Sequence, residues 1–322
     1  MRIWLDTDIG TDVDDALALA YVVRHPDLEL VGVSTVFGDL TVRDAIVDRI
    51  LAVADAPPTP VVTGLSVPLT DGRHGLLFGH EGRAVLERPS PTLRIEEEPG
   101  GADGARRRVE ALAAAIDEAR PDRVVAIGPL TNLGALARDG MALPPLTIMG
   151  GKIDPDRPSG LSERRAEWNW YCDPVAVHQV LARGQGPPAT VVPAEVTFRT
   201  RLDEADVDRL ADGDPLHRLL ADLCREWVRA QGEDYDLPDP RVVLHDPLAA
   251  AVVVRPELCA WAARTITVDD RGRATVLADG EPTAGFDGAV GGAVEGGTVQ
   301  AATDVDAAAL STELLSVLGI DR

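Results

Sequence analysis

The chain is poor in the residues that build basic surfaces and disulfide frameworks. Lys152 is its single lysine, and Lys plus Arg total 31 against 53 Asp plus Glu, a formal net charge of -22 over 322 residues. A nucleic-acid partner calls for a basic face. The one basic run, Arg106-Arg107-Arg108, reads as the solvated side of a helix. Three cysteines, Cys172, Cys224 and Cys259, stand far apart with no C-x-x-C among them. An odd, scattered set excludes a disulfide framework and points to buried thiols in a reducing compartment. No apolar run approaches the roughly 20 residues of a membrane span. The first residues enter a strand directly, without the basic and apolar regions of a signal peptide. The expectation is a soluble, cytoplasmic protein with neither nucleic acid nor membrane as partner.

Acid is present in quantity and is concentrated. Asp6, Asp8, Asp12, Asp14 and Asp15 fall within ten residues, between the apolar run Ile3-Trp4-Leu5 and the apolar run from Ala16. The first run reads as a short buried strand. The second reads as a helix whose acidic start suits the macrodipole. The carboxylates therefore sit on a turn at the carboxyl end of the first strand, the edge where open α/β sheets bind ligands. A solvated turn with one helix cap would account for one such aspartate. Five like charges raise one another's pKa, and a hard cation such as Ca²⁺ or Mg²⁺, which takes carboxylate oxygens, relieves them. A metal site is expected here.

The rest of the first half alternates strand and helix. Strands are expected at 28–37, 60–64, 124–127 and 146–149, and helices at 42–54, 105–119 and 133–137. Residues 72–82 read as a Gly- and His-rich loop, and 89–104 as an exposed Pro-, Glu- and Gly-rich segment. Beyond these, the pattern gives a helix from Asp173-Pro174, a strand at 190–193, one helix over 203–231, a helix from His245-Asp246-Pro247, a hairpin over 265–277, a strand at 299–302 and a helix over 306–318. Alternation of this kind argues a mostly parallel sheet with helices on both faces, an α/β architecture. With hydrophobic residues at 45% and no repeat or linker, residues 1–322 read as one domain.

Three further pieces fall at strand ends: Gly128-Pro-Leu-Thr131-Asn132, Glu167-Trp168-Asn169 and His245-Asp246-Pro247. Each alone can be a plain helix start. Together with Asp6-Thr-Asp8-Ile-Gly10, Asp14-Asp15-Ala-Leu-Ala, Met149-Gly-Gly and Ala302-Thr-Asp-Val-Asp, they resemble the inosine–uridine-preferring nucleoside hydrolases nearly end to end. The resemblance implies a Rossmann-like fold, assembly as homodimers or homotetramers, and calcium-dependent hydrolysis of the N-glycosidic bond of a ribonucleoside. It implies Asp8 as water-activating base and metal ligand. Asp15, the backbone carbonyl of Thr131 and Asp246 would be the other metal ligands. Asp14, Asn169 and Asp246 would bind substrate, with Glu167 near the 5′-hydroxyl and His245 protonating the leaving base. A pocket histidine is matched by His80, with His74 as runner-up. Trp227 and Tyr235 are candidates to stack on a base; Trp227, in a helical run, reads rather as core, and Tyr235 stays open. Two departures stand out. Two residues are extra between Gly10 and Asp14-Asp15: aligned on the Asp pair, Asp12 is an additional carboxylate, whereas aligned on Gly10 it takes the sugar-binding place. Leu161 stands where many members carry Asn.

The chemistry suits these residue types. Cleavage passes through an oxocarbenium-like sugar. A divalent cation can activate a water and grip vicinal hydroxyls, a carboxylate can take the water's proton, and His has a suitable pKa to protonate the departing base. Two other classes share part of this pattern. An aspartate-nucleophile phosphatase also opens on a strand and Asp-x-Asp, but it wants Thr or Val where Gly10 stands. A non-catalytic calcium- or nucleoside-binding homologue would lack reason to keep Asp8, Asp15, His245 and Asp246 together. An EF-hand is excluded by Leu17 at the loop's closing position.

Overall fold

The computed structural model describes residues 1–87, 91–154, 166–182, 187–277 and 297–320. In chain order the elements are β1 Arg2–Thr7, α1 Asp14–Arg24, β2 Glu29–Thr35, α2 Leu40–Val53, β3 Val61–Thr63, β4 Gly75–Phe78, β5 Thr92–Ile95, α3 Gly101–Ala119, β6 Arg123–Ala126, α4 Thr131–Arg138, β7 Leu146–Met149, α5 Trp168–Cys172, α6 Pro174–Leu181 and β8 Ala189–Val192. They continue with α7 Ala194–Thr197, β9 Arg201–Leu202, α8 Glu204–Ala211, α9 Pro215–Glu233, β10 Val242–Val243, α10 His245–Ala251, β11 Cys259–Val268, β12 Ala274–Val276, β13 Gly297–Val305 and α11 Ala307–Val317.

Nine strands form one sheet in the order β12-β11-β13-β8-β7-β6-β1-β2-β3. From β13 to β3 all neighbours are parallel; β11 and β12 add antiparallel to that edge. The parallel strands are buried on both faces, so they read as continuous apolar runs rather than alternating ones. One core packs α1, α9, α10 and α11 on one face around Leu17, Leu220, Leu248 and Leu314. The other packs α3, α4 and α6 on the opposite face around Trp4, Leu112, Leu133 and Val177. The expected mostly parallel α/β sheet, covered on both faces, is the observed fold.

The chain leaves β1 toward β2 and β3, then returns to the far side of β1 as β6. Strand direction of travel reverses there, and a crevice opens between the carboxyl ends of β1 and β6. Gly128, just past β6, makes this junction possible, since a Cβ there would lie 2.8 Å from both the Asp8 nitrogen and an Asp8 carboxylate oxygen.

Several boundaries differ from the sequence reading. The loops around 72–82 and 89–104 contribute β4 and β5, a small antiparallel hairpin whose two four-residue strands are too short to show a clear period. The single helix expected over 203–231 is two. Asp203 and Asp214 each form a reciprocal cap with the residue three positions on, and Pro215 opens the second helix, so the chain restarts at Asp214. Leu161 lies outside the described residues.

Candidate active site

A cavity of about 360 Å³ occupies the crevice. Its floor comes from the ends of parallel strands: Asp8 after β1, Ile127 after β6, Met149 at the end of β7 and Ala194 after β8. Asp12, Asp14 and Asp15 enter from the acidic turn and α1, Glu167 and Asn169 from the start of α5, and His245 and Asp246 from the start of α10. Residues up to 238 positions apart in sequence, Asp8 and Asp246, are thus brought to one wall.

The carboxylates are crowded and largely out of water. Asp8, Asp14, Asp15 and Asp246 are buried, with exposures of 3–5%. Oxygens of Asp12, Asp14 and Asp15 lie within 4.8 Å of one another. The Asp246 amide donates to Asp14 Oδ2 at 3.3 Å, which ties the two helix starts together. The Thr7 hydroxyl donates to Asp15 Oδ1. Burial pushes Asp8 up to about 6 and Asp12 up to about 8, with Asp8 adding to the rise at Asp12. Burial first, and then neighbouring carboxylates, hold Asp15 and Asp246 well above the ordinary range. Such groups are stable as anions only beside positive charge.

The donor set fits a hard divalent cation, because it is made of oxygen atoms that burial has stripped of water. Asp8, Asp15 and Asp246 share the cavity as the sequence suggested. Thr131 does not. It sits in the first turn of α4, fully buried, and its hydroxyl donates to Asp173 Oδ2 at 2.7 Å. Ile127, four residues earlier, does line the crevice, and its backbone carbonyl accepts from Asn169 Nδ2, itself on the cavity wall, at 2.9 Å. The Gly-Pro-Leu-Thr-Asn segment is structural beyond its glycine. Asn132 donates to Asp6 and to the Thr35 carbonyl and accepts from the Leu65 amide.

Asp6, the first of the five aspartates, also faces away. It accepts from Asn132 and Ser34 beneath the sheet end, and burial raises it to about 6. Glu167 lines the cavity but is committed to the backbone. Its carboxylate accepts from the amides of Gly151, Asn169 and Trp170 at 2.7–3.1 Å. Burial outweighs those bonds and raises it to about 7. Asn169 is anchored through Nδ2 to the carbonyls of Ile127 and Met149. His245 stands beside Asp246 with Phe198 edge-on at 4.6 Å. Its Nδ1 lies 2.5 Å from the Thr197 hydroxyl, and burial lowers its pKa to about 4.

The outer half of the cavity is aromatic. Phe78, Trp168, Phe198, Trp227 and Tyr235 line it. Trp227, expected in the core, and Tyr235, left open, both face it. His80 does not line this cavity, contrary to expectation. It stands one layer behind, stacked on Trp227 with centroids 5.6 Å apart, and its Nε2 lies 2.5 Å from the Thr11 carbonyl. The short β4–β5 hairpin delivers Phe78 to the cavity and turns His80 behind it. His74 likewise lines no part of it. Arg83 fastens this wall, donating to the Gly79 carbonyl at 2.9 Å, to Asp234 at 3.0 Å and to Glu226 at 3.3 Å. Sequence reasoning missed Ile127, Phe78, Phe198 and Thr197, since an apolar residue or a lone threonine carries no chemical signature of its own.

The sequence model described as inosine-uridine preferring nucleoside hydrolase matches residues 3–312 of this chain. Uridine nucleosidase 1 of Arabidopsis thaliana is 30% identical over 285 residues, covering 84% of this chain and 79% of that protein. A pyrimidine-specific ribonucleoside hydrolase, RihA, of Salmonella paratyphi C is 29% identical over 289 residues, covering 85% of this chain and 86% of that one. Among solved structures, a purine-preferring ribonucleoside hydrolase from Gardnerella vaginalis superposes with a TM-score of 0.74 at 24% identity, covering 99% of this chain and 98% of the other.

Proposed function

This chain belongs to the inosine-uridine preferring nucleoside hydrolase family and hydrolyses the N-glycosidic bond of a ribonucleoside to free base and ribose; we propose that it does so on a calcium ion held by Asp8, Asp15, Asp246 and the Ile127 carbonyl. The observation that carries the reading is the burial of Asp8, Asp15 and Asp246 around one crevice with no Lys or Arg side chain among the described residues that line it. Calcium, when bound, supplies the positive charge these carboxylates need and a coordination sphere with room for a water and two vicinal hydroxyls.

The protein's own residues do the rest. Asp8, at the switch between β1 and β6, takes the proton of the attacking water. Asp14 and Asn169, both rigidly anchored, orient the ribose hydroxyls and so lower the entropic part of the barrier. Glu167, held by three amides, lies toward the 5′ side of the sugar. The surrounding carboxylates stabilise positive charge developing on the sugar ring. The aromatic half of the cavity takes the flat base by stacking. His245 supports the departing base. Its lowered pKa keeps it neutral near pH 7, so it acts through an N–H aimed at the base rather than as a stored imidazolium.

Assembly as a homodimer or homotetramer and a cytoplasmic location belong to the same proposal. No helix among the described residues is long and apolar enough to cross a membrane. The deciding experiment is a panel of purine and pyrimidine ribonucleosides assayed for reducing-sugar release, with calcium and with chelator. Release that persists undiminished in chelator removes the calcium mechanism, and no release from any member removes the activity.

A further inference from the structure

Arg43, in the first turn of α2, is fully buried and lies under the acidic turn. Its Nη1 donates to the carbonyl of Asp8 and, at 2.8 Å, to that of Ile9. Its Nη2 donates to the Thr11 hydroxyl at 3.2 Å, and its Nε to the Phe37 carbonyl. All four bonds run to uncharged oxygens. A buried guanidinium without a carboxylate partner is costly, so its place here needs a reason. The same helix makes a second contact with the turn. Gly10 has φ +110°, and a Cβ there would lie 2.6 Å from Ile46 Cδ1. The turn is thus seated on α2 at Gly10 and clamped on both sides of that seat, at Asp8–Ile9 and at Thr11.

The clamp has a geometric consequence. With the carbonyls of Asp8 and Ile9 drawn down onto Arg43, the side chains of Asp8 and Asp12 are left to face the cavity. A planar fork with five donors can hold several oxygens of one turn at once, which a lysine ammonium cannot do in the same plane. The fixed positive charge also lies behind the carboxylates and partly offsets the repulsion at Asp8 and Asp15.

We propose that Arg43 is the positioning residue of the cation site: it pins the Asp8–Thr11 turn from below so that the carboxylates are set for a divalent ion before one arrives. This rests on the calcium reading above. Two effects of its loss oppose each other. Removing a nearby positive charge favours a cation, whereas freeing the turn disperses the ligands. The number of bonds to one short turn makes the second effect dominant.

The test is calcium titration by calorimetry on the full chain, stripped of metal, comparing wild type with Arg43→Gln and Arg43→Lys. Melting temperature with chelator reports folding in each. Removing a supporting partner of a metal ligand set weakens binding by about 10- to 100-fold, and that loss is expected for R43Q. R43K keeps the charge but not the fork, and is expected to lose a smaller part of the affinity. Tighter or unchanged calcium binding by R43Q would overturn the proposal, since charge alone or bulk packing would then be the residue's role. If R43Q does not fold, a wild-type affinity in folded R43K overturns it equally. If wild type itself binds no calcium, the calcium reading fails separately. The clamp is then judged by kcat, which should drop in R43K at unchanged melting temperature, and an unaltered kcat sinks it.

Discussion

The hydroxyl of Thr197, the last residue of α7, lies 2.5 Å from Nδ1 of His245, the first residue of α10. The two are 48 positions apart and meet only because α7 and α10 both start from the crevice end of the sheet. Burial keeps the imidazole neutral. The Thr197 hydroxyl also lies 3.3 Å from the Ala194 carbonyl; the contact at Nδ1 fixes the ring's orientation and leaves Nε2 as the nitrogen free to serve the leaving base.

Thr197→Val removes that bond while keeping the shape of the side chain. A net hydrogen bond of about 1 kcal/mol corresponds to roughly fivefold in rate. The expected result is a fall of that size or larger in kcat for inosine or uridine, with KM little altered. p-Nitrophenyl riboside, whose leaving group needs no proton, should be nearly unaffected. Equal losses on both substrates would show that Thr197 acts on the fold rather than on His245.

Asp8→Asn keeps the size of the side chain but removes the base. General-base catalysis is worth about 10²- to 10⁴-fold, and kcat should fall within that range or below it. Stability should move the other way. In chelator, Asp8 is a buried carboxylate among like charges, and Asn relieves it, so the melting temperature should rise. A variant that is both fully active and less stable would contradict both roles.

Stability without metal should depend on pH in a direction opposite to that of paired carboxylates. Asp8 and Asp12 are raised to about 6 and about 8, and Asp15 and Asp246 move the same way. Unfolded, each returns to the ordinary carboxylate value near 3.8. Over that interval the folded chain holds protons that the unfolded chain releases, so these groups favour folding at low pH and cease to do so as pH rises through the folded values. The melting temperature in chelator should therefore increase from pH 8 to pH 6. Calcium competes with those protons, so the increment it adds should grow from pH 6 to pH 8. A calcium increment that shrinks over the same range would argue against the carboxylates as its ligands.

Trp227→Ala should open the aromatic wall. The indole stacks on His80 at 5.6 Å and meets Tyr235 at 6.0 Å. Aromatic pairs contribute about 0.5–1.5 kcal/mol beyond area burial, so KM should rise up to about tenfold, with a smaller change in kcat. The effect should be greatest for bases with the largest flat surface. Steady-state kinetics across purine and pyrimidine nucleosides checks it, and uniform loss of kcat at constant KM would remove the stacking role.

Much of the architecture could be read along the chain because local signals and tertiary outcome agree there. The parallel strands are buried on both faces, so Leu146–Met149 and Arg123–Ala126 announce themselves as apolar runs. The acidic turn did so as well: four of its five aspartates, Asp8, Asp12, Asp14 and Asp15, line one cavity, while Asp6 is held beneath by Asn132 and Ser34. Short elements were not legible. Gly75–Phe78 and Thr92–Ile95 pair across the intervening chain, and neither has the length to show a period of two. The pause at Asp214-Pro215 was present as a cap signal but was hidden inside a continuous apolar pattern.

Sequence by itself determined which groups could do chemistry: the aspartates of the opening turn, His245-Asp246, Glu167 and Asn169. Each is a charged or polar side chain whose cost of burial demands a purpose. Only the tertiary structure decided which atoms share the cavity. It put Ile127 on the cavity wall and Thr131 off it, turned His80 behind Trp227, and set Arg43 beneath Asp8. A backbone oxygen, a stacked ring and a buried guanidinium take their roles from where the sheet brings them, and that placement is a property of packing across long sequence distances rather than of any local pattern.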